Sequence, residues 1–229
     1  MKSSIDVPLE GLRLVRCLRC KTLLRVRTRW SIRNAKMLER FSDGFKTGIP
    51  PFAFCDVARY YKCTSCFVLN DMHTSQLHPK QLPWLVRLSK LLIPLPIVEQ
   101  DESTCAEALE KGVPQGPDAI RDTRIAYLRR SNDPFRYLLD ERKLGPHQRS
   151  EFWRNQVQGL CSQLAKTVMS NVALAIECLR ELGRFDEART AIRDWWTIGE
   201  DDGWFYGIRT LEELCLAKNP FVQKVTVFR

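Results

Sequence analysis

Histidine is scarce in this chain: its 229 residues contain three, His73, His78 and His147. None stands beside a second histidine and a carboxylate at a hydrolytic spacing, and neither a glycine-rich phosphate loop nor a nucleophile elbow occurs. The motif-borne forms of metal-dependent hydrolysis, nucleotide binding and acyl transfer are thereby excluded. An enzyme whose active site is assembled from distant residues leaves no such trace and stays open as the last of three readings. Each histidine reads as a surface residue, and the carboxylate pairs Asp201 with Asp202 and Glu212 with Glu213 read as solvated.

Long apolar runs are missing as well. Met1 to Arg40 is dominated by Arg and Lys and lacks the apolar stretch of a secretory signal, which speaks against export. Leu82 to Val98 carries Arg87 and Lys90 and is broken by Pro83, Pro94 and Pro96, so it is too short and too interrupted to span a bilayer. The setting expected is the cytoplasm, with no membrane partner.

Negative charge is short at one end only. Residues 1 to 66 hold 14 Lys and Arg against 5 Asp and Glu, residues 67 to 98 hold 3 against 1, and residues 99 to 229 hold 19 against 21, for a formal net charge of +9. A localised basic field attracts polyanions through counterion release and steering, which makes nucleic acid the leading partner class for that end. The competing readings are a basic surface that keeps the protein soluble or docks on an acidic protein face.

Cysteine, in contrast, is plentiful, with nine residues. In a reducing compartment closely spaced pairs are metal ligands more often than disulfides. Val15-Arg-Cys-Leu-Arg-Cys-Lys21 and Tyr60-Tyr-Lys-Cys-Thr-Ser-Cys-Phe67 each place two cysteines around two intervening residues, which sets both sulfurs on the inside of one tight turn. Two such turns complete a tetrahedral zinc site from Cys17, Cys20, Cys63 and Cys66. Leu12, Leu14, Leu23, Leu24 and Val26 around the first pair, and Tyr60, Tyr61, Phe67 and Val68 around the second, read as strand, the layout of a zinc ribbon. Arg16, Arg19, Lys21 and Lys62 lower the thiol pKa values and offset the charge of four thiolates. Two features depart from the usual ribbon. The interval from Lys21 to Lys62 is 42 residues, against a usual separation of roughly 15–20; and Lys21 and Phe67 stand where a glycine often follows the second cysteine. Cys55 and His73 are rival ligands, and a redox role for either pair lacks the strand-to-helix context such motifs have.

Inside the interval, Arg25, Arg27 and Arg29 recur with period two and precede Trp30 and Arg33. On a strand they line one face, where guanidinium groups grip phosphates and the indole stacks on a base. The competing reading is a solvated strand face followed by a short helix over Ser31 to Phe41 whose Ile32, Ala35, Met37 and Leu38 pack inward.

From about Asp101 the patterns turn helical. Thr104 with Glu107 reads as a capping box, with Gly112 and Pro114 stopping a helix near 104 to 111. A second helix runs from about Asp118 to Arg130, and Asp133 with Pro134 starts a third that ends near Gly145. Ser150 to Trp196 keeps a helical stripe through Val157, Leu160, Cys161, Leu164 and Val168, then Val172, Leu174, Ala175, Cys178, Leu179 and Leu182, with a break near Ser170. Trp195, Trp196, Trp204, Phe205 and Tyr206 then form an aromatic cluster.

Ala175 to Ile192 resembles the core of a tetratricopeptide hairpin, with Gly183 ending one helix, Phe185 following and Ala188 admitting close packing of the next; a single copy points to one hairpin within a bundle. The order of parts is similar to uncharacterised bacterial proteins with an N-terminal paired-cysteine zinc ribbon and a helical domain that carries stretches like Arg124 to Arg136 and Leu179 to Ala188. The resemblance implies an arrangement of parts and no activity. The expectation is an α+β chain: a basic zinc-ribbon-like domain over 1–80, a Pro-interrupted apolar connector over 81–100, and over 101–229 a mainly helical bundle with one tetratricopeptide-like hairpin. Its function is read as a non-enzymatic binding or adaptor protein with a structural zinc and a protein partner, the alternative being a nucleic-acid-binding protein that uses the basic ribbon.

Overall fold

The computed structural model describes residues 12–16, 23–27, 36–43, 46–49, 57–60, 65–68, 101–136, 149–165, 172–198 and 205–224, with side chains described at 41–43, 101–136, 149–165, 172–196 and 207–224. Six short strands pair antiparallel, each with its neighbour in the chain: β1 (Leu12–Arg16) with β2 (Leu23–Arg27), β3 (Lys36–Arg40) with β4 (Lys46–Ile49), and β5 (Val57–Tyr60) with β6 (Ser65–Val68). Seven helices follow among the described residues: α1 (Glu102–Glu110), α2 (Pro117–Ser131), α3 (Asp133–Arg136), α4 (Glu151–Leu164), α5 (Val172–Glu181), α6 (Phe185–Ile198) and α7 (Phe205–Leu216).

The α+β class expected from the sequence is corrected. The described residues between 101 and 216 are mainly helical, with no strand among them, and no β-rich domain is shown: the six described strands make three separate two-stranded ladders and no common sheet. A lone two-stranded ladder has too little apolar face to form a core. The described core side chains sit on helices, with Phe41 added from the turn after β3 and Val222 from the segment after α7. The helix expected over Ser31 to Phe41 is also corrected, because Lys36–Arg40 is strand. Pairing with β4, and a rung from Phe41 to Lys224, outweigh the local helical pattern.

The chain divides into two compact units. The first contains β1, β2, β5, β6, α1 and the part of α2 up to Thr123. Within it α1 lies against the β5–β6 ladder. Its N-cap is Asp101, whose carboxylate accepts from the Thr104 backbone N–H at 2.7 Å. The capping box expected at Thr104 is therefore displaced by three residues, since an aspartate at the N-cap satisfies the free N–H that a threonine would otherwise serve. Glu107 instead pairs with Lys111 one turn on, at 2.5 Å.

The second unit contains β3, β4 and the chain from Arg124 onward. Its helices α4, α5, α6 and α7 pack each on the next, and α5 also touches α7. Ile176, Ala188, Ile192, Trp195, Ile208, Leu211 and Cys215 form the core between α5, α6 and α7. Full burial of each such aliphatic side chain contributes about 1.5–3 kcal/mol. Gly183 takes a φ of +76°, a conformation that disfavours any residue with a Cβ, and lets α5 turn into α6. Ala188 is fully buried there, as close packing of the second helix requires. Trp195 is in the core, while Trp196, edge to face with it at 5.2 Å, is 36 % exposed. Trp204, the end expected near Gly145 and the Leu82 to Val98 segment lie outside the described residues, as do the side chains of Phe205 and Tyr206.

Candidate functional site

The stretches Arg124 to Arg136 and Leu179 to Ala188 are brought together in the second unit around a buried turn. Strand β3 delivers Phe41, Ser42 and Asp43 into the helices, all three closed to solvent. The Asp43 carboxylate accepts from the Arg136 guanidinium and, at 3.2 Å, from the Asn132 side-chain amide. Its backbone carbonyl accepts from Arg129 at 3.3 Å. Arg136 also donates to Asp133 and, at 2.6 Å, to the Arg129 carbonyl, and its cation stands 5.5 Å from the centre of the Phe41 ring.

Helix α5 supplies the other half. Glu177 and Arg180, three residues apart, form a fork through Nε and Nη2 at 2.8 and 2.6 Å with neither side chain exposed. Ser42 donates its hydroxyl to the same Glu177 oxygen at 2.6 Å. Its backbone N–H donates to the Gln223 carbonyl at 2.9 Å, while the Gln223 N–H donates to the Ser42 hydroxyl at 3.1 Å. Arg180 reaches the Asn219 carbonyl as well. The turn is thus clamped between α5 and the segment after α7.

Glu181 is the odd member. One of its oxygens accepts from the Asn132 amide at 2.8 Å, so Asn132 divides its two N–H groups between Glu181 and Asp43. The other oxygen has no hydrogen-bond donor among the described residues, although the residue is only 4 % exposed. Burial first, then the nearby Glu177 charge, push the Glu181 carboxyl well above its ordinary range; Arg180 opposes this and Asp43 reinforces it. A neutral acid is the form this surrounding favours. Arg180 is raised despite its burial, because Glu177 supplies both charge and hydrogen bonds. The Asn132 carbonyl accepts from Arg149 at 2.5 Å, and Arg149 lies over both Phe135 and Trp153 at 4.6 Å. Trp153 closes the edge by donating to Ser131 at 2.8 Å.

Chemically the arrangement can hold a turn by charge and can exchange one proton, at Glu181. Two acids are matched by two guanidinium groups and the third has none dedicated to it. Among the described residues no group of three or more His, Cys, Asp and Glu is placed to hold a metal ion.

The site residues read from the sequence lie elsewhere. Cys17, Cys20 and Cys63 are outside the described residues, as are the rival ligands Cys55 and His73 and the nucleic-acid candidates Arg29, Trp30 and Arg33. Cys66 lies in β6 and Arg25 and Arg27 in β2, with side chains outside the description. The last rung of the first ladder, Arg16 to Leu23, spans positions 17–22, and that of the third, Tyr60 to Ser65, spans 61–64. Both ladders belong to the first unit. Sequence reasoning passed over Asp43, Asn132, Arg136, Glu177, Arg180 and Glu181 as a site. A signal was present: Glu177, Arg180 and Glu181 interrupt an otherwise apolar helix at one-turn spacing, the pattern of charges that pair inside.

Comparison with protein-family models, with curated proteins and with solved structures finds no match.

Proposed function

We propose that the protein is a non-enzymatic binding or adaptor protein whose helical unit contacts a protein partner, with a structural zinc ion on Cys17, Cys20, Cys63 and Cys66 ordering the basic N-terminal third. The observation that carries this reading is the use made of the charged side chains in the second unit. Asp43, Glu177, Arg136 and Arg180 are closed to solvent and engaged with one another, so their strong fields act on the fold and on no open cleft. Outward, α6 and α7 present Trp196 and Leu216, 36 % and 60 % exposed, as apolar points a partner surface can cover.

For the metal, support comes from the two correctly spaced cysteine pairs: the first ladder ends just before Cys17, the third ends around Cys63 with Cys66 on its next rung, and both ladders belong to one unit. Four thiolates leave zinc no open coordination position, which makes the role structural. No helix among the described residues is long and apolar enough to cross a membrane.

Purified protein should carry about one equivalent of zinc, and chelation should abolish the folded signal of the N-terminal third. Cys63→Ser should do the same. Metal-free, stably folded protein would remove the zinc proposal. The second reading, nucleic-acid binding through the basic end with Arg25, Arg27, Arg29, Trp30 and Arg33, is favoured by the 14 Lys and Arg among the first 66 residues. The two readings separate by salt. Phosphate-driven binding weakens log-linearly as salt rises, whereas a protein partner retained at high salt from nuclease-treated extract supports the adaptor.

A further inference from the structure

The long interval between the cysteine pairs contains a hairpin, β3–β4, whose tip is seated in the helical unit. We propose that Asp43, Asn132 and Glu181 form a proton-sensitive latch that holds this hairpin as a strap: docked while Glu181 is neutral, released when it ionises.

The geometry makes the latch. Asn132 serves two acids at once, 3.2 Å from Asp43 and 2.8 Å from Glu181. Asp43 is held in an ion pair with Arg136 that is closed to solvent. Glu181 has no donor for its second oxygen among the described residues, so a charge placed there meets no stabilising group and stands across one amide from the Asp43 charge. The groups around Glu181 are Asp43 from the strap, Arg149 ahead of α4, and Glu177, Cys178 and Arg180 from α5, with Arg136 of α3 one step further out on Asp43. Arg180 is committed to Glu177, Arg136 to Asp43 and Asp133, and Arg149 to the Asn132 and Ser131 carbonyl oxygens. Ionisation therefore adds repulsion that falls on Asp43 and Glu177. Glu177 shares α5 with Glu181, whereas Asp43 stands on the turn after β3, whose backbone pairs with that of the segment at 223–224 and with that of no helix among the described residues, so relief of the repulsion moves the strap. Release also opens the Ser42 contacts to Glu177 and Gln223.

Hydrogen exchange on the full chain, read as protection factors to remove the intrinsic pH dependence, tests this. As pH rises above the ordinary glutamate range, protection at 36–43 and 219–224 should fall about tenfold or more while α6 and α7 stay protected. Glu181→Gln should keep the strap protected over the same range. Loss at the same pH in wild type and variant, or simultaneous loss across all helices, overturns the latch. Should the variant fail to fold, the wild-type protein decides: the Glu181 carboxyl carbon and the amide signals of Phe41 to Asp43 must titrate with one midpoint, and separate midpoints or an ordinary glutamate midpoint overturn it.

Discussion

Glu177 and Arg180 pose the sharpest energetic question in the molecule, because burying two charges costs several kcal/mol each before any attraction is counted. Their fork, with Ser42 and the Asn219 carbonyl taking the remaining polar positions, offsets that cost. Glu177→Ala leaves Arg180 charged and closed in, and should lower the urea-denaturation stability by about 3–5 kcal/mol. Glu177→Leu combined with Arg180→Met should recover most of the loss, since apolar residues of similar volume need no counter-charge. Equal losses in the single and double variants would show that the pair itself contributes net stability. Glu181 has the opposite sign. Its folded carboxyl is raised above the ordinary 4.5, so the stability linked to its proton is complete below that pH and is lost as pH rises toward the elevated value. Glu181→Gln should match wild type below the ordinary glutamate range and exceed it increasingly in thermal unfolding as pH rises above that range.

Among the elements, the ends of α5 and α7 repeat one device. After α5, Gly183 donates to Arg180 and Arg184 donates to Leu179; after α7, Lys218 donates to Cys215 and Asn219 to Leu214. Both pairs of bonds satisfy carbonyls that the helix leaves open, and both need a residue at positive φ, +76° at Gly183 and +49° at Lys218. Gly183→Ala meets no neighbouring atom, so its cost of about 1 kcal/mol is purely backbone strain. Lys218→Gly removes that same strain and should stabilise by roughly 0.5–1 kcal/mol. Thermal melts of the two variants should therefore shift in opposite directions. Gly183 and Gly112 were legible as stops because glycine after an apolar stripe has one common use. The α1 cap was misplaced because Thr104 and Asp101 both precede a helical pattern, and only the backbone decides which one stands outside the first turn.

For the whole molecule, two units imply two separable responses to metal removal. The core of the second unit, between α5, α6 and α7, rests on apolar burial. Chelation should accordingly cost the signal of the N-terminal third while most far-UV helical signal persists; a single cooperative loss of both would show that the units fold as one. The strap belongs by sequence to the basic third and by contact to the second unit, and no pattern of residues announces that. Asp43 in sequence is one acid between Ser42 and Gly44. What makes it a site is Arg136, 93 positions away.

From the residue order alone came the helical nature of the region after Asp101, the break between α4 and α5, the turn at Gly183, the placement of positive charge and the spacing of the cysteine pairs. These are local properties: periodicity, capping and ligand spacing act over a few residues and leave a mark wherever they occur. Tertiary structure alone decided that Lys36–Arg40 is strand, that Asp43 is buried, and that Asn132 joins it to Glu181. Those outcomes depend on which distant groups share a space closed to water, where a paired charge is tolerated and an unpaired one is not, and that pairing is written in no single stretch of the chain.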